Sequence, residues 1–114
     1  MPYLKIQTNL DPQAETLSSL LQQASQNVAE SLGKPERYVM VAVDTDVPML
    51  FAGEASPTVY MELKSIGLPE QETARLSAAL CQLVNDHLDI PTNRVYIEFA
   101  NAERHMWGWD GDTF

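Results

Sequence analysis

The chain has 114 residues, 45% of them hydrophobic, which is enough for one domain with a modest core and too little for two. Its 16 acidic and 7 basic residues leave a net charge of -9, which repels phosphate backbones and anionic headgroups and argues against nucleic acid or a membrane surface as partner. Cys81 is the only cysteine, so no internal disulfide framework exists, and the start lacks the basic-then-apolar pattern of an export signal; a cytoplasmic protein without membrane spans is the expectation.

The opening run Met1-Pro2-Tyr3-Leu4-Lys5-Ile6-Gln7-Thr8-Asn9 reads as a strand. Removal of Met1 would leave Pro2 as the terminal residue with a secondary amine. Inside a chain a proline nitrogen is a non-basic tertiary amide; at a free terminus it titrates in the range of α-amino groups, about 7.7–8.0. Asp11-Pro12 predicts an N-cap followed by proline in the first turn, opening an amphipathic helix whose apolar face is Leu17, Leu20, Leu21, Ala24, Val28 and Leu32. Gly33 predicts its C-terminal cap, and Pro35 prevents its continuation. Tyr38–Val43 is apolar on both faces, the pattern of a strand at the centre of a sheet. Asp44–Pro48 and Gly53–Pro57 read as polar turns, and the two aspartates in the first lack a third ligand at metal-binding spacing.

Thr58–Ser65 predicts a third strand. Pro69 opens a second helix, with Glu70 and Glu72 in its first turn where negative charge suits the helix dipole. Leu76, Ala79, Leu80, Leu83, His87 and Leu88 form its apolar face, so His87 reads as core. Val95–Phe99 is the closing strand. Glu15-Thr16 overlays Glu72-Thr73 and Pro35 overlays Pro91, an internal repeat of about 56 or 57 residues that divides a single domain, 1–114, into units of about 1–57 and 58–114. The fold class is therefore α+β: two βαβ units forming a four-stranded sheet with both helices on one face. The other face is left bare; with Met40 and Ala42 apolar on one side of the Tyr38–Val43 strand and Val39, Val41 and Val43 on the other, that face would be apolar and predicts self-association, with the tail from Ala100 to Phe114 contributing.

Pro2, Thr8-Asn9, Gly33-Lys34-Pro35 with Tyr38, Ser65-Ile66-Gly67, Arg94-Val95-Tyr96-Ile97, Gly108-Trp109 and Thr113-Phe114 are separated stretches that span essentially the whole chain. Together, in this order and spacing, they resemble the macrophage migration inhibitory factor family of the tautomerase superfamily. The resemblance implies a homotrimeric, barrel-like assembly with sites at subunit interfaces, and cofactor-free keto-enol tautomerisation of phenylpyruvate-like aromatic 2-oxo acids. It implies Pro2 as the general base, and Lys34 as partner of the substrate carboxylate. Ser65 and Ile66 would lie along the substrate, Tyr96 would come from the neighbouring protomer, and Tyr38, Trp109 and Phe114 would form an aromatic slot. No metal is implied.

Read singly, each of these residues has a structural explanation: Lys34 follows a helix end where cations are favoured, and Tyr96 lies on a strand. The departures from the family pattern also count. Glu98 stands where mammalian members have asparagine, on the same strand face as Tyr96, and a nearby carboxylate would favour a protonated Pro2 and repel an anionic substrate. The Cys-x-x-Cys motif of some members falls on Thr58 and Met61, which excludes dithiol chemistry. A receptor-binding arginine of mammalian members falls at Pro12, although its acidic partner is matched by Asp46. A cytokine-like binding protein with a vestigial pocket is one alternative. A hydratase- or dehalogenase-type member, with Arg94 and Arg104 as candidate anion binders, is another.

Overall fold

A computed structural model describes all 114 residues. The chain runs β1 (Tyr3–Thr8), α1 (Ala14–Leu32), β2 (Met40–Asp44), β3 (Val59–Ile66), α2 (Thr73–Leu88), β4 (Val95–Ala102) and a small hairpin, β5 (Gly108–Trp109) and β6 (Asp112–Thr113). The four long strands form one mixed sheet in the order β2-β1-β3-β4. β1 pairs parallel with β2 and antiparallel with β3, and β3 pairs parallel with β4.

Strand alternation decides what faces the helices. Leu4, Ile6, Val59, Met61 and Leu63 point into one face and meet Leu20, Ala24, Val28, Leu76, Leu80 and Val84, all 2% exposed or less. This core lies wholly on the helical side of the sheet, as two right-handed βαβ units require.

The two halves correspond at their turns as well as their elements. α1 ends at Gly33 (φ 63°, ψ 35°) and α2 at Asp89 (φ 56°, ψ 35°), both left-handed caps. Pro35 and Pro91 follow, each extended and each opening a single 3-10 turn before the next strand. Proline fixes φ near -65° and lacks an N–H, so it is suited to a position where no helical bond is needed.

The fold corrects four expectations. α1 begins at Ala14, with Gln13 rather than Asp11 at its N-cap. The Leu10 carbonyl accepts the Asp46 N–H at 2.8 Å and the Leu10 N–H donates to Thr8 Oγ1 at 3.2 Å, which holds the chain extended past the expected cap. β2 is an edge strand, not a central one; β1 and β3 occupy the middle because β3 takes the free side of β1. Val41 and Val43 pack on the core from that edge, whereas Met40 is 65% exposed. The bare face is not an apolar surface: its successive cross-strand rows read Met40-Tyr3-Lys64-Ala100, Ala42-Lys5-Glu62-Glu98 and Asp44-Gln7-Tyr60-Tyr96. His87 is half-buried rather than core, with Nδ1 2.9 Å from the Leu83 carbonyl one helical turn back.

Candidate functional site

At the end of the sheet where the chain begins, five segments converge. Pro2 is buried, and its carbonyl accepts the Met40 N–H at 3.0 Å, which fixes the terminus beside β2. The left-handed cap at Gly33 lets the Lys34 N–H return to the Ala29 carbonyl at 3.0 Å, a C-terminal capping bond that sets where Lys34 leaves the helix. Its ammonium lies over Gly67, where an added Cβ would stand 4.0 Å from Lys34 Nζ; Gly67 itself has φ 64°, the conformation for which glycine is preferred. The 3-10 turn after Pro35 then presents Tyr38.

Tyr38 meets the C-terminal hairpin. Its ring is edge-on to Trp109 (centroids 5.9 Å, 85°) and to Phe114 (6.3 Å, 88°), while Trp109 and Phe114 stack on each other (5.6 Å, 12°). These are the offset and T-shaped geometries that the ring quadrupole favours. The Phe114 N–H donates to the Trp107 carbonyl at 3.2 Å, tying the last residue to the hairpin. Arg37 lies 4.7 Å over the Tyr38 ring.

Two adjoining cavities result, with Met1, Tyr38 and Phe114 common to both. The larger, about 530 Å³, is mainly apolar and is walled by Pro2, Tyr3, Met40, Trp107 and Trp109, with Arg37 and Lys64 at its border. The smaller, about 130 Å³, is bounded by Lys34, Pro35, Ile66 and Arg104. The amino terminus at their junction is pushed below its ordinary value of 8.0, chiefly by burial, then by the charges of Lys34 and Arg104. Both effects disfavour the ammonium form.

The structure thus brings together Pro2, Lys34, Tyr38, Ile66, Trp109 and Phe114. It keeps three other candidates apart within the protomer. Ser65 is fully buried and its hydroxyl donates to the Ile66 carbonyl at 3.1 Å, so it borders neither cavity. Tyr96, 66% exposed on the edge strand β4, packs against Phe51 with ring centroids 4.5 Å apart. Glu98 accepts the Tyr60 hydroxyl at 2.7 Å. Two strand spacings and three residues of strand separate Glu98 from Pro2, roughly 14 Å, beyond the screening length of about 10 Å at ordinary ionic strength. Within its own protomer Glu98 does not govern the charge of the amino terminus.

The two arginines of the alternative reading part company. Arg94 donates to the carbonyls of Phe51 (2.8 Å), Ser56 (3.0 Å), Glu54 (3.2 Å) and Pro57 (3.3 Å), and so is consumed in holding a loop. Arg104 faces the small cavity. Thr8-Asn9 also proves structural: Asn9 Nδ2 donates to Ala55 O (3.0 Å) and Ser56 O (3.1 Å) while its Oδ1 accepts the Thr58 N–H at 3.0 Å. Sequence reasoning assigned no site role to Trp107, Tyr3 or Arg37; the adjacency of Arg37 to Tyr38, and the alternation that turns Tyr3 away from the core, were the available signals.

The whole chain, residues 1–114, matches the macrophage migration inhibitory factor (MIF) family. It is 42% identical over 115 residues to the macrophage migration inhibitory factor homolog of Brugia malayi, covering 100% of this chain and 99% of that protein. It is 35% identical over the same length to the macrophage migration inhibitory factor of Rattus norvegicus, with 100% and 99% covered. Among solved structures, the homologue from Prochlorococcus marinus superposes with TM-score 0.93 at 42% identity, covering 98% of each chain. That from Trichinella spiralis gives 0.90 at 35%, covering 98% of this chain and 99% of that one. Full-length identity at this level, together with the fold of two βαβ units and a closing C-terminal hairpin, makes the chain a member of the macrophage migration inhibitory factor family, with the tautomerase-superfamily fold.

Proposed function

We propose that the protein is a cofactor-free keto-enol tautomerase of aromatic 2-oxo acids such as phenylpyruvate, working from the Pro2 amine once Met1 is removed. The observation that carries this reading is the position of the amino terminus, half-enclosed where an apolar, aromatic-walled cavity adjoins a small cationic one. The two cavities correspond to the two ends of such a substrate. The ring fits the space beside Tyr38, Trp109 and Phe114, and the carboxylate fits the end bordered by Lys34.

The reaction moves one proton. The neutral Pro2 nitrogen takes it from the carbon beside the ketone, leaving an enolate, and the resulting ammonium returns it to the enolate oxygen; substrate and product are isomers, and the amine ends as it began. Such a base works best when its pKa lies near the working pH. Burial and the charges of Lys34 and Arg104, which lower the titration of the present terminus, would act on a Pro2 amine in the same direction.

The reading includes a homotrimer. Tyr96 stands exposed on an edge strand, and Met40 on the opposite edge is exposed beside the large cavity, so another protomer can complete the site with Tyr96 and Glu98. An intact-mass measurement, a sedimentation analysis and a phenylpyruvate tautomerase assay on the wild type and Pro2→Gly test these statements together. A mass lacking Met1, a trimeric sedimentation coefficient and activity reduced at least a hundredfold in the variant are expected. A processed terminus without activity would overturn the reading for this substrate class.

A further inference from the structure

Four of the seven basic residues, Lys34, Arg37, Lys64 and Arg104, border the two cavities at the amino terminus of a chain whose net charge is -9. Lys64 has Glu62 at 3.5 Å, and Arg37 lies over the Tyr38 ring. Away from the cavities, Lys5, Arg75 and Arg94 are engaged by Asp44, by Glu72 and the Ser31 carbonyl, and by the loop carbonyls respectively. Lys34 and Arg104 alone have no carboxylate within 4.0 Å, no side-chain hydrogen bond and no ring beneath them, and they face the same cavity. Two unneutralised cations adjoining a space of about 130 Å³ repel each other unless an anion lies between them. With 16 acidic residues in the chain, none supplies that anion.

We propose that Arg104 is a second carboxylate-binding residue, acting with Lys34 to clamp the carboxylate of the 2-oxo acid and strengthening the binding of the acid over a neutral counterpart. The assignment rests on the reading of these cavities as the substrate site. The small cavity is bordered by the two unpaired cations and the large one is walled mainly by apolar and aromatic side chains, so the anionic end of the substrate is matched by the small one. The guanidinium offers a planar fork of donors that matches a carboxylate, where Lys34 offers a point charge, so the two are not redundant. Arg104 opens the 3-10 turn Arg104–Met106 one residue after β4, and its side chain makes no hydrogen bond or ion pair within the protein, so its replacement breaks none.

Isothermal titration with benzoylformate tests this. It is an aromatic 2-oxo acid without a hydrogen on the carbon beside its ketone, so it binds without turning over; benzoylformamide is its neutral counterpart. Arg104→Gln is expected to weaken benzoylformate about tenfold and to leave the amide within about twofold, because a charge-assisted hydrogen bond is lost only for the anion. Arg104→Lys is expected to recover part of the loss and to restore less than the native fork. Equal affinity of wild type and Arg104→Gln for benzoylformate would overturn the assignment, as would parallel losses for acid and amide. Because the readout is binding, a wild type that binds benzoylformate in an Arg104-dependent manner yet turns over no phenylpyruvate would defeat the tautomerase reading and leave the clamp standing.

Discussion

Arg94 offers the sharpest test of how this fold is held, because its bonds separate a structural arginine from a ligand-binding one. Its guanidinium reaches four backbone carbonyls of the 51–57 loop at 2.8–3.3 Å and lies 5.0 Å over the Phe51 ring, while its own carbonyl accepts the Thr58 hydroxyl at 2.7 Å. Arg94→Ala removes the side-chain bonds and leaves the backbone one. Hydrogen bonds to a charged group are worth about 1.5–3 kcal/mol each when shielded. Here most of them lie at the surface, and the freed carbonyls are rehydrated, so the four together amount to about 2 kcal/mol. For a domain of this size that lowers Tm by about 8 °C. Calorimetry at fixed protein concentration, so that any assembly equilibrium contributes equally, measures it. Arg94→Lys should recover little, since one ammonium cannot span carbonyls arranged around a planar fork. A loss below about 2 °C in the alanine variant, or full recovery by lysine, would rule out the guanidinium as the anchor of the loop.

Two further outcomes are expected. On the proposed tautomerase reading, in which Lys34 acts on a Pro2 amine as it does on the present terminus, Lys34→Ala should move the ascending, low-pH limb of the pH-rate profile upward; an unmoved limb in an active variant would show that Lys34 exerts no such effect. The Tyr60 hydroxyl is held protonated chiefly by its hydrogen bond to Glu98, then by desolvation and its bond to Glu62, so its titration lies above its ordinary value of 10.0. Ultraviolet titration of the native protein should show one of the four tyrosines ionising last, and Tyr60→Phe should abolish that late step; persistence of the step would assign it elsewhere.

The bounds of the elements that misled are as informative as those that did not. Asp11-Pro12 has the local chemistry of a helix start, yet the Leu10 carbonyl is claimed by Asp46, a residue 36 positions later that no local pattern could associate with it. Tyr38–Val43 is apolar on both sides, yet β2 is an edge strand, because periodicity reports which faces of a strand are dry and not where in the sheet it lies. Motif residues divided in the same way. The family resemblance marked Lys34 and Tyr38, and both border the small cavity, whereas Asn9 and Arg94, equally part of the family pattern, are spent on the backbone of the 51–58 segment. Side-chain type alone does not distinguish an arginine that grips carbonyls from one that faces a cavity.

Local chemistry determined the alternation that buries Leu4, Ile6, Met61 and Leu63, the helical faces that meet them, and the paired turns at Gly33-Pro35 and Asp89-Pro91. Each of these depends on residues within a few positions of one another, where propensity and periodicity act. Only the tertiary structure decided that Met1, Lys34, Tyr38, Ile66, Arg104 and Phe114 border one small space, because the segments carrying them are joined by strand pairing and helix packing across the whole chain.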